Sequence, residues 1–252
     1  MSWIARAGAV MLLLVGGVAQ AETDPCAVPP ADPATRAMTI DLVDNADWGY
    51  QTFAPGTGAA FPAVSKDGKT LVQLFQDGED FTGAPITTIV FWSTRGAELA
   101  RYGRGGASDS RNSAAADAPH AHAAVNQRLA ATTWRPLAVH NACEPDSEVG
   151  RSPSRVTVDG DVAITFDPAT ARLTKRVAKG RATRIRAQFR APGLRSADDG
   201  IPGGGCGEIT RLAYGFGGRD LGVAILIADG NLGGDSCFGQ PVADNALVIP
   251  LR

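Results

Sequence analysis

The sequence predicts a mainly β fold: an antiparallel β-sandwich or barrel-like domain with one central helix at about residues 114–132. Three observations carry this expectation. Short β-branched and aromatic runs recur along the chain with turn residues between them. The composition is turn-rich, with 30 Gly and 16 Pro among 252 residues. Only one segment sustains the spacing of a helix face.

The elements follow in order. Arg6 precedes the apolar run Ala9 to Val15, and Ala19-Gln20-Ala21 places small residues at the positions a signal peptidase inspects. Residues 1–21 are therefore expected to be a cleavable signal peptide, and the mature protein to be exported, periplasmic or extracellular. The same run is too short and wrongly flanked for a membrane span, and none is expected elsewhere. Cys26 follows Thr23-Asp24-Pro25, which does not suit a lipid acceptor. Residues 22–37 form a Pro-rich leader, and 38–252 the β-rich domain.

Strands are expected at Thr39 to Val43, Thr70 to Phe75 and Ile86 to Trp92, with turns at Asp77 to Asp80 and Thr82 to Pro85. Tyr102 to Ser113 is Gly- and Ser-rich and reads as a loop. Ala114 to Thr132 is Ala-rich, with Val125 and Leu129 at helical spacing, and Trp134-Arg135-Pro136 is expected to end the helix. Strand signals resume at Arg155 to Val158, Val162 to Phe166, Thr183 to Phe189, Ile209 to Tyr214, Leu221 to Ile227 and Ala246 to Leu251.

Two strand–turn–strand segments resemble one another, around Asp67-Gly68 and Asp159-Gly160. They raise the expectation of two similar β-units, 38–106 and 134–252, bridged by the helix. Ordinary hairpin grammar is the plainer account of the same pattern. The segment Phe61-Pro62-Ala63-Val64-Ser65-Lys66-Asp67-Gly68-Lys69 resembles the strand–turn repeat of TolB-type β-propellers, with Lys66 where that family has Pro. The resemblance covers this one segment and implies a binding scaffold and not chemistry. The wider layout is similar to that of uncharacterised exported bacterial proteins, with Asn126, Leu129 and Trp134 around the helix end and cysteines in a C-terminal β-unit.

The four cysteines, Cys26, Cys143, Cys206 and Cys237, suit two disulfides in an exported chain. Spacing favours Cys206 with Cys237, because a hairpin between them returns the chain to its start, and leaves Cys26 with Cys143. Closing a loop of that size stabilises a fold by roughly 3.5 kcal/mol on the chain-entropy model.

No catalytic, cofactor or metal-binding set stands out. Asp235-Ser236 looks like a protease nucleophile stretch, but Cys237 stands where a glycine is needed. Asp229 to Asp235 has alternating oxygen ligands without the bidentate Glu of a calcium loop. His120 and His122, two apart on a helix, point about 200° from each other.

The charge pattern carries more. Between Arg151 and Arg195 stand eleven basic residues against Asp159, Asp161 and Asp167, in a chain whose formal net charge is −2. Arg172, Arg176, Arg184, Arg186 and Arg190 are the candidate anion-binding residues. Alternation puts Arg184, Arg186 and Arg190 on one face, with Ile185 and Phe189 on the other.

The plain account is a solvated face whose arginines pair with acids elsewhere on the protein. The functional alternative is contact with an anionic envelope polymer. Nucleic acid is not expected, because no aromatics interleave to stack bases. The chain is thus expected to be a non-catalytic, disulfide-stabilised binding or structural protein. The alternative is a secreted hydrolase using Asp77, Glu79 and Asp80, or Asp198 and Asp199, brought together by the fold.

Overall fold

The computed structural model describes residues 34–45, 50–79, 85–103, 114–143, 153–177, 180–186, 189, 208–231 and 246–251. In chain order the first strands are β1 (Ile40–Asn45), β2 (Tyr50–Pro55), β3 (Ala63–Ser65), β4 (Thr70–Glu79), β5 (Pro85–Ser93) and β6 (Glu98–Gly103). Helix α1 (Ala114–Ala130) follows, then β7 (Trp134–Pro136), β8 (His140–Asn141), β9 (Ser154–Val158), β10 (Val162–Asp167) and β11 (Arg172–Val177). The chain closes with β12 (Thr183–Ile185), β13 (Glu208–Gly218), β14 (Val223–Asn231) and β15 (Ala246–Pro250).

Among the described residues all strand pairs are antiparallel. They form the hairpin β1–β2 and three open sheets. The five-stranded sheet has the order β6–β5–β4–β3–β7, the middle sheet β15–β14–β13–β8 and the outer sheet β12–β11–β10–β9. Among the described residues the fold is therefore a mainly antiparallel β domain with one helix, built as stacked sheets and without a closed barrel.

Side-chain parity explains the stacking. On β5, Ile89 and Phe91 face α1 and the β1–β2 hairpin, together with Met38, Ile40, Phe53, Val125, Leu129 and Trp134. Val90 and Trp92 face the opposite way and meet Phe216, Val223, Ile225 and Ile227 of the middle sheet. On β14, Ala224 and Leu226 then turn to the outer sheet and pack on Val156, Val158, Ile164, Phe166 and Leu173.

A strand buried on both faces must be apolar throughout. Accordingly, every residue from Val223 to Ala228 is at most 1% exposed. Each large side chain there contributes about 1.5–3 kcal/mol by leaving water. The outer sheet is different. Burial along β10 alternates residue by residue, from Val162 (buried) to Asp167 (half-buried), as a sheet with one free face requires.

Several expected boundaries move. Asp77 to Glu79 is not a turn: β4 runs through it, and a bulge between Gln76 and Glu79 absorbs one extra residue. Trp134-Arg135-Pro136 does not merely end the helix. It forms β7, pairing with β3 at Ser65, Val64 and Ala63, a sheet position where Pro is tolerated. Among the described residues, the strand expected over Thr183 to Phe189 is paired from Thr183 to Ile185. β11 was not anticipated as a strand, and it carries two of the candidate arginines.

The propeller-like segment builds the β3–β4 turn, and its polar atoms are used there. The Ser65 hydroxyl donates to Asp67 Oδ1 at 2.6 Å and accepts from Thr70 N at 2.9 Å; Asp67 Oδ1 also accepts from Lys69 N at 3.1 Å. Gly68, at φ 70°, supplies the left-handed residue.

Candidate functional site

The outer sheet places the charged face. Ser154, Val156 and Val158 of β9 point inward, so Arg155 and Thr157 point outward. By the same parity β10 presents Ala163, Thr165 and Asp167, and β11 presents Arg172, Thr174 and Arg176. Arg184 of β12 lies directly opposite Thr174. Register thus gives one row across the sheet, Arg155–Thr165–Thr174–Arg184, with Arg172 and Arg176 on either side of Thr174 along β11. Strand spacing puts the ends of the row about 14 Å apart, and Arg184 lies about 7–8 Å diagonally from both Arg172 and Arg176.

Arg155, Arg172, Arg176 and Arg184 are all exposed. None has an ion pair or side-chain hydrogen bond among the described residues. The local acids bond to other groups, although Asp167 lies directly opposite Arg172 on this face. Asp167 accepts from Ala169 N at 3.0 Å and the Thr170 hydroxyl at 2.7 Å, closing its own turn. Asp161 pairs with Arg219 at 2.7 Å, and the Asp159 carboxylate accepts from the Arg219 backbone N–H. Asp220, on the same β13–β14 turn, pairs with Arg135 at 3.3 Å.

Of the candidate residues, Arg172, Arg176 and Arg184 are brought to one face. Arg186 is exposed but follows Ile185, the last paired residue of β12, and Arg190 lies outside the described residues. Ile185 and Phe189 pack toward the core, and Phe189 meets Phe166 edge-to-face at 6.0 Å between ring centroids.

Arg155 is the site residue that sequence reasoning left out. Its signal was the alternation Ser154-Arg155-Val156-Thr157-Val158 once paired with β10. Its backbone is fixed by Cys143, through Cys143 N to Arg155 O at 2.7 Å and Arg155 N to Cys143 O at 3.0 Å. Lys175 points inward instead, its ammonium donating to Pro250 O at 3.4 Å.

Cys143 is half-buried, at the bridge to Arg155. Cys26, Cys206 and Cys237 lie outside the described residues, as do Asp80, Asp198, Asp199 and Ser236. Asp77 and Glu79 belong to β4. Among the described residues no group of three or more His, Cys, Asp or Glu could hold a metal ion. No described helix is long and apolar enough to cross a membrane.

The residues noted at the helix end have structural work. Asn126 clamps both backbone polar groups of Ile40 at the hairpin edge, accepting from Ile40 N at 2.9 Å and donating to Ile40 O at 3.0 Å. His122 Nε2 lies 2.9 Å from the same carbonyl. His120 is exposed.

His140 is the one buried histidine among the described residues, 6% exposed, with no partner for Nδ1. Burial pushes its pKa below 6.5, and the Asp159 charge only partly offsets this. A neutral histidine in the fold binds fewer protons than the same residue unfolded, so stability is full above pH 6.5 and falls below it. Asp67, held below 3.8 chiefly by the Ser65 hydroxyl, keeps its contribution until far lower pH. Between about pH 7.5 and pH 5 the urea midpoint is therefore expected to drop more in the wild type than in His140→Phe. Equal drops would remove His140 from the account.

Comparison with protein families, curated proteins and solved structures returns no match.

Proposed function

We propose that the chain is an exported, non-catalytic binding module that holds an anionic polymer against the outward face of its outer sheet. One observation carries the reading: four exposed guanidiniums share this face without ion-pair partners among the described residues, while Asp159 and Asp161 bond to Arg219 and Asp167, opposite Arg172, bonds within its own turn. Arginine suits such a role because its planar fork meets phosphate, sulfate or carboxylate in bidentate geometry and stays charged at all relevant pH. A pre-formed sheet also spares the cost of ordering a loop on binding. Four cysteines, an even set suited to two disulfides, support an oxidising compartment, in line with the signal-like segment at residues 1–21.

The test is retention on an immobilised sulfated polysaccharide. The wild type is expected to elute at clearly higher salt than Arg176→Glu/Arg184→Glu, with both proteins sharing one circular-dichroism spectrum. These positions are exposed, so the fold is expected to tolerate the change. Co-elution of folded wild type and variant would overturn the reading.

A further inference from the structure

We infer that the ligand of this face is an anionic saccharide, its sugar rings lying over Thr165 and Thr174 and its acidic substituents reaching the surrounding arginines. This rests on the proposed function and names its ligand class. Thr165 and Thr174 are direct cross-strand partners on the outward face, flanked in the same row by Arg155 and Arg184. Arg172 and Arg176 close the other two sides of Thr174, about 7 Å along the strand in each direction. Neither threonine hydroxyl has a hydrogen-bond partner among the described residues, and both residues are half-buried.

The surface is therefore a floor of two free hydroxyls with four guanidiniums around it and one carboxylate, Asp167, beside Thr165 and opposite Arg172. Each hydroxyl donates one hydrogen bond and accepts others, matching the hydroxyls of a sugar. The guanidiniums, roughly 7–14 Å apart, suit acidic groups on successive rings better than a single small anion. Charge complementarity selects the polyanion, and the hydroxyl floor selects a saccharide among polyanions.

Nucleic acid fits less well. The described outward positions are Arg, Thr, Ala and Asp, with no aromatic ring on which a base could stack.

The experiment compares Thr165→Val/Thr174→Val with the wild type. Valine keeps the shape and strand preference of threonine and removes the hydroxyl. Three probes are titrated at one fixed salt concentration: a heparin oligosaccharide, inorganic polyphosphate and single-stranded DNA.

Loss of two hydrogen bonds is expected to weaken heparin binding roughly tenfold. Polyphosphate can accept from the threonine hydroxyls but has no hydroxyl to donate in return, and its binding is expected to weaken clearly less than that of heparin. Single-stranded DNA is expected to bind the wild type more weakly than heparin does. Unchanged heparin affinity in the double valine variant, or equal weakening toward polyphosphate, would overturn the saccharide inference. So would DNA binding tighter than heparin.

Arg172→Glu/Arg176→Glu separates the two levels. Its loss of binding to both polyanions upholds the charged face whichever way the valine result falls. Its full retention of both would bring down the proposed function itself.

Discussion

Trp134→Ala is expected to cost about 4–5 kcal/mol of stability, the upper end of the range for large-to-small changes in a packed core. The indole is 2% exposed, and its ring tilts on Phe91 at 6.2 Å between centroids. Its Nε1–H donates to Leu129 O at 2.9 Å, satisfying one of the carbonyls that the end of α1 leaves open. Alanine keeps the backbone pairs of β7 with β3 and with Arg36 but leaves a cavity and an orphaned acceptor. Trp134→Phe refills much of the space without the donor, and about 1–2 kcal/mol is expected for it. Urea denaturation of both variants checks the pair. A loss under 1 kcal/mol for the alanine variant would show that Trp134 does not hold the helix to the five-stranded sheet.

Phe216→Ala is the second large effect, at about 4 kcal/mol. Phe216 is fully buried between the five-stranded and middle sheets, tilted on Trp92 at 6.3 Å, with Val223 and Ile225 beside it. These two sheets share one core, and β14 carries a second core into the outer sheet. The loss is therefore expected in a single transition, seen at one midpoint by tryptophan fluorescence and by far-ultraviolet circular dichroism. A net stability of 5–15 kcal/mol, usual for a folded domain, leaves little margin after such a change. Two separated transitions would mean that the layers fold independently.

Much of the architecture was legible in the sequence because burial imposes its own pattern. Val162 to Phe166 alternates and is the one-sided strand it promised. Val223 to Ile227 is apolar at every position and is buried on both faces. Val125 and Leu129, four residues apart, mark the buried side of α1.

What escaped did so for physical reasons. Arg172-Leu173-Thr174-Lys175-Arg176-Val177 has few apolar residues, and it is a strand because β10 pairs with it along its whole length. Pro136 suggested a break, yet it sits on β7, whose sheet partner is β3. Arg155 and Arg184 lie 29 positions apart, and only the register of four strands sets them in one row. The sequence shows that acids exist to neutralise the arginines. That Asp159, Asp161 and Asp167 bond to other groups is a fact of the fold.

The most direct measurement of the central claim is the salt dependence of affinity for a sulfated polysaccharide. It is made on the wild type and on Arg155→Gln, Arg172→Gln, Arg176→Gln and Arg184→Gln, each taken singly. A guanidinium that neutralises an acidic group releases a counterion. Each substitution is therefore expected to lower the slope of log affinity against log salt concentration by up to about one. Arg135→Gln, whose guanidinium already pairs with Asp220, is expected to leave the slope unchanged. Wild-type slopes in all four face variants would contradict the account.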